Sequence, residues 1–243
     1  MRPLAQNARA IDDLMERASG ALVAADYFEA ETIALRALEK ARHAGDFERM
    51  ARICLPIQEA RRQRRHEAID SGQTFLIRTL PSRGEALGAG CYLLEPPLIG
   101  IEGRVVRDFA ERRRVPVLVL VREPTAQSGR WPIVGVGQGM RQPVSVRVQV
   151  MPPPETAGGG RTTPPPVEWF LRTQELLGDA AISKVRPEWA ADHRVEDLLE
   201  LLDAVPDHEK LIQALERACR EAAAIPPSAL GRRRSIIDDE FSF

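Results

Sequence analysis

An α+β chain, with helices first and a small mixed sheet after them, is the fold class this sequence predicts, and three features predict it. Up to about residue 70, apolar residues recur every three or four positions, as on a helix face. From Thr74 onward they alternate or gather in short runs, as strand residues do. A Pro- and Gly-rich stretch over 152–166 then precedes a return to helical spacing. The organisation expected is helical hairpins over 1–70, a mixed α/β sheet domain over 71–151, a connector over 152–166, helices over 167–225 and a tail over 226–243.

The first helix rests on Leu4, Ala8, Ile11, Leu14, Ala18, Leu22 and Ala25, which share one face. A second, from about Phe28 to His43, carries the small-residue stripe Ala30, Ala34, Ala37 and Ala41, which lets a neighbouring helix come close. Gly45 suits the left-handed turn that ends it. The third begins near Asp46 and buries Phe47, Met50, Cys54 and Ile57, and it ends in the charged run Arg61 to Glu67. Pro56 withholds a backbone donor inside it, so a kink or restart is expected there.

The run Ala24-Ala25-Asp26-Tyr27-Phe28-Glu29-Ala30 resembles the turn and second-helix opening of a tetratricopeptide repeat, with Leu14, Ala18, Tyr27 and Ala37 at matching positions around Ala30. Gly45-Asp46-Phe47 repeats the turn and aromatic, with Met50 at the small position. The resemblance covers residues 10–60 and implies helical-hairpin packing with a peptide-binding groove. Tyr27, Phe28 and Phe47 are the candidate partner contacts on that helical surface.

Thr74 to Leu80 reads as a strand, Pro81 to Gly90 as a loop, and Cys91 to Leu94 as a second strand. Ile101, Val105 and Phe109 mark the buried face expected of the helix that follows. Val117 to Val121 is apolar on both faces, as a central covered strand must be, so Cys91 to Val121 forms a βαβ unit. Trp131 to Gly137 and Val144 to Val150 make an antiparallel pair, the second alternating Val with Ser, Arg and Gln. Helices are expected at Val167 to Gly178, Val195 to Asp203 and Asp207 to Ala224.

Formal net charge is −1, so no long-range field draws the whole chain to phosphate backbones or anionic lipid. Arginine outnumbers lysine, of which there are only Lys40, Lys184 and Lys210, a bias that a GC-rich genome produces unaided. Cys54, Cys91 and Cys219 are widely spaced and fit buried apolar sites in a reducing cytoplasm better than a disulfide framework. Asp12, Asp13 and Glu16 interrupt the apolar core that a signal peptide needs, and no segment has the length of a membrane span.

Gly135, Gly137 and Gly139 lack the helix that would bring a pyrophosphate to their backbone, so the sequence favours a hairpin loop. The four histidines, His43, His66, His193 and His208, lack ligand spacing and read as solvated helix ends. Accordingly no catalytic residue, metal site or cofactor is assigned. Open sheets bind ligands at the carboxyl edge of their strands, which makes Glu95, Arg122 and Glu123 the candidate ligand-binding residues. The run Arg61 to Arg65 reads as a solvated helix end paired with acids, and nucleic acid is disfavoured as a partner because no aromatics interleave.

The tail from Arg232 to Phe243 joins a basic block, two isoleucines, three acids and two phenylalanines, a composition suited to docking as a linear motif. Its tip resembles the acidic, Phe-ended tip of bacterial single-stranded-DNA-binding proteins, and Phe241 and Phe243 are its candidate anchors. Repeat-like helices without a catalytic signature predict a non-enzymatic interaction or scaffold protein, with other proteins as partners through the helical face or the tail. The alternative is an enzyme or small-molecule binder using the sheet edge.

Overall fold

The computed structural model describes residues 2–124, 129–139, 142–153 and 163–225. Among them are seven helices and one five-stranded sheet, an α+β fold. The described residues fall into two compact units, one drawn from Met1–Gln63, Ile182–Leu199 and Glu209–Phe243, the other from Arg64–Ala181 and Glu200–His208.

In the first unit, α1 (Arg2–Val23), α2 (Tyr27–Ala44) and the start of α3 (Phe47–Asp70) pack as hairpins. The caps follow from the sequence. The Asp26 carboxylate accepts the Glu29 N–H at 3.2 Å and opens α2, while Gly45, at φ 65°, donates its N–H back to Ala41 and Arg42. The Asp46 carboxylate accepts the Arg49 N–H at 3.0 Å and opens α3. Ala30, Ala34, Ala37 and Ala41 are all fully buried, as a close helix contact requires. Pro56 does not divide α3 into separate helices, because α3 runs without a break to Asp70. The carbonyl deprived of its donor belongs to Arg52, an exposed residue that water can reach. The unit's core is completed by α7 (Glu209–Ala223), which buries Leu211, Leu215, Ala218 and Ala222, and by Val195 and Leu198 of α6 (Ala191–Ala204).

The sheet of the second unit runs β1 (Thr74–Ile77), β2 (Gly90–Leu94), β3 (Val117–Arg122), β4 (Trp131–Gln138) and β5 (Pro143–Val150), in that spatial order. The first three strands are parallel and the last two antiparallel to their neighbours. The expected first strand is shortened, stopping at Ile77 before Arg78. Between β2 and β3 comes α4 (Gly100–Arg112), completing the βαβ unit. Tyr92, Leu94, Val119, Val121 and Val134 form a buried cluster with Leu98 and Val106 on the face covered by α4.

Two expectations are corrected here, both by glycine. Ile101 and Val105 are 40% and 43% exposed, while Gly100, Gly103, Val106, Phe109 and Ala110 face inward. A Cβ at Gly100 or Gly103 would lie 2.6 Å or 2.5 Å from valine methyls of the sheet, so the missing side chains are what lets α4 approach. Gly135 and Gly137 lie in β4, as the strand expected over Trp131 to Gly137 has them, so the alternative reading of the glycine run as a hairpin loop is dropped. A Cβ on either would meet the Ala204 backbone at 2.6 Å or 2.5 Å, which marks the close approach of the last turn of α6.

Candidate functional site

The register Ile77↔Leu94↔Val121 sets three parallel strand ends side by side, so Arg78, Glu95 and Arg122 leave the sheet at one carboxyl edge. Glu95 is 2% exposed, and both of its oxygens are engaged. Oε2 accepts from Arg78 at 3.1 Å and 3.3 Å, and Oε1 accepts from Arg122 at 2.8 Å. The Arg122 guanidinium also lies over Trp131, 4.0 Å from the ring centroid, and Trp131 meets Trp169 edge-on at 5.8 Å.

Glu95 and Arg122 are thus brought together. Glu123 turns to an ion pair with Arg147 of β5, while its N–H donates to Pro132 at 2.9 Å. Arg78 was missed by sequence reasoning, although the signal existed: it follows Ile77 just as Glu95 follows Leu94. Chemically, Glu95 is a carboxylate held by two cations, and to act as a general base it would have to lose those bonds. Arg78, with 49% of its side chain exposed, is the member able to turn toward a ligand.

The other candidate residues fare differently. Phe28 and Phe47 are 9% and 7% exposed and Tyr27 is half-buried, so the two phenylalanines feed the first unit's own core. Phe241 and Phe243 lie outside the described residues. The basic run is taken up by ion pairs: Arg61 with Glu31 at 2.7 Å, Arg62 with Glu59 and Glu209 at 2.9 Å, and Arg64 with Glu111.

The expectation of solvated histidines holds for His43 and His66, while His193 is half-buried. It is corrected at His208, which is fully buried and converges with Glu175 and Asp179, their donor atoms all within 4.8 Å of one another. These are the described residues with the chemistry to hold a metal. No local spacing could have announced them, because His208 is far along the chain from α5 (Val167–Lys184), which carries the other two.

The first unit carries an open groove of about 260 Å³ built by the end of α5, α6 and α7. Ile182, Val185, Pro187, Leu198, Ala214 and Ala218 supply an apolar lining, and Arg194, Arg217 and Glu221 add charge to its walls. Arg194 pairs with Glu221, and Arg217 is exposed. In the second unit a small cavity of about 20 Å³, large enough for one water, lies between the sheet and Gln174, Leu177 and Val205.

Fold and site together define an α+β protein with hairpin-packed N-terminal helices, an internally neutralised sheet edge and an open apolar groove. No protein-family model, curated protein or solved structure matches the chain. Among the described residues no helix is long and apolar enough to cross a membrane.

Proposed function

We propose that this chain is a non-enzymatic interaction protein that takes a short apolar segment of another protein into the α5–α7 groove. The observation that carries this reading is the groove itself: open to solvent, lined largely by aliphatic side chains, and bordered by arginines that would meet acidic flanking residues. The engagement of Glu95 supports the same reading, because both of its oxygens already accept from guanidiniums. The tetratricopeptide-like spacing of residues 10–60 agrees with a helical scaffold that presents such a surface.

The test uses the full chain and two variants that leave the unit's core alone. Ala214→Arg fills the groove from a half-buried position, and Arg217→Glu reverses an exposed charge beside it. Proteins cross-linked in cells to the wild type are expected to be lost from Ala214→Arg and weakened in Arg217→Glu. Identical partner sets for all three proteins would end this reading.

A second reading, small-molecule binding at the sheet edge, is favoured by one observation: three adjacent strand ends deliver Arg78, Glu95 and Arg122 to one place. An anionic ligand would then compete with Glu95 for Arg78. Protection of Arg78 from guanidinium-modifying reagents by small carboxylates or phosphates is the expected sign. Unchanged modification rates would remove it.

A further inference from the structure

Glu175 and Asp179 stand four residues apart on α5, one turn of helix, so their carboxylates share a face. Between them is Gly178, a residue that a helix interior disfavours by about 1 kcal/mol relative to alanine. Its presence has a visible cause. A Cβ there would lie 2.0 Å from His208 Cγ, 2.2 Å from Cδ2 and 2.3 Å from Nδ1, so the imidazole lies flat on the helix backbone where a side chain would be.

Seated this way, the fully buried ring directs Nε2 at both carboxylates, 3.4 Å from Glu175 Oε2 and 3.6 Å from Asp179 Oδ1. Those separations discriminate between two arrangements. A charge-assisted N–H···O bond closes to about 2.7–2.9 Å. Two ligand atoms sharing one tetrahedral ion at about 2.0–2.1 Å stand about 3.4 Å apart. Both observed distances are longer than the first, and that to Glu175 equals the second. The carboxylates are 46% and 53% exposed, which leaves an entry path and room for water on the outer side.

We propose that Glu175, Asp179 and His208 bind one divalent transition-metal ion. One imidazole nitrogen with two carboxylate oxygens is a borderline donor set, suited to Zn²⁺, whereas Mg²⁺ and Ca²⁺ prefer oxygen throughout. Water completes the coordination from the solvent side. Bound there, the ion ties the turn that follows α6, which carries His208, to the face of α5.

The experiment is calorimetric titration of Zn²⁺ into the full-length, chelator-stripped protein, with Mg²⁺ and Ca²⁺ as parallel arms. One Zn²⁺ per chain is expected, with Glu175→Gln and Asp179→Asn each weakening it at least about tenfold, a loss already typical of removing a group that only orients a ligand. Both carboxylates are partly exposed, so these variants keep the fold, which circular dichroism checks. Gly178→Ala, by displacing the imidazole, is expected to weaken Zn²⁺ as well while leaving all three donors in place. Absence of Zn²⁺ binding, equal affinity in wild type and carboxylate variants, or tighter binding of Mg²⁺ or Ca²⁺ than of Zn²⁺ would each overturn the proposal.

Discussion

Replacing Gly137 by alanine tests the close approach between β4 and the end of α6. The new Cβ would fall 2.5 Å from Ala204 N, 2.9 Å from the Asp203 carbonyl carbon and 3.0 Å from Ala204 Cα, all of them backbone atoms with no rotamer to yield. Reaching ordinary contact near 3.4 Å requires the helix end to retreat by roughly 0.9 Å. Overpacking of this kind costs about 1–3 kcal/mol. The retreat also pulls on Asp203, whose carboxylate accepts the Gln138 N–H at 2.6 Å and pairs with Arg104, and hydrogen bonds to charged groups contribute about 1.5–3 kcal/mol. Against this stands a gain of about 0.5–1 kcal/mol from removing a strand glycine. The net expectation is a loss of about 2 kcal/mol, roughly a thirtyfold fall in the folded-to-unfolded ratio. Urea titration followed by circular dichroism reads it as a lower midpoint at unchanged slope. Gly84→Ala, in the same unit with nothing within 4 Å of its added methyl, is the control and should shift stability by less than about 0.5 kcal/mol. If Gly137→Ala is as stable as wild type, or both variants move alike, the account of β4 is refuted.

Glu95→Gln leaves Arg122 without its buried counter-charge and should cost about 3 kcal/mol. Arg78→Ala removes a partner whose side chain is 49% exposed and should cost about 1 kcal/mol or less. Equal losses in urea denaturation would contradict the asymmetry drawn for this edge. Burial pushes the Cys54 thiol up from 9.0 to about 12 and the Cys91 thiol from 9.0 to about 11, and holds Cys219 above its ordinary value too. Folded protein at pH 8 should therefore react with a disulfide reagent only as fast as it opens, and all three thiols should react in denaturant. Stoichiometric labelling within the mixing time would count against it. The same shifts fix a sign: the unfolded chain loses these protons first, so stability is intact below 9.0 and falls as pH rises toward about 12.

Local signals were the legible ones. Asp26 and Gly45 mark the ends of α2 because a cap is a contact between near neighbours in sequence, and Val117 to Val121 declares itself central because both faces are apolar. The face of α4 was misread because periodicity counts side chains, whereas that helix packs through Gly100 and Gly103, which have none. Likewise, the sequence placed Gly135 and Gly137 in a strand and yet also offered them as a loop, and only the nearby Ala204 backbone gives the reason for both glycines. At the candidate sites, Glu95 and Arg122 could be found from strand ends, yet Arg78 required the register of β1 against β2. His208 needed tertiary structure outright, since its partners lie a strand-free stretch of chain away on α5.

Strand order has one further consequence. With β1 and β5 outermost, each free border of the sheet is poorly made for recruiting a foreign strand. On one side the strand lasts four residues and gives way to Arg78; on the other it opens with Pro143, which has no N–H to offer, and projects Arg147 midway. Such borders resist the edge-to-edge addition that joins sheets of different molecules. Strand addition at either border would therefore have to remove a charge or a proline before a foreign backbone could pair there.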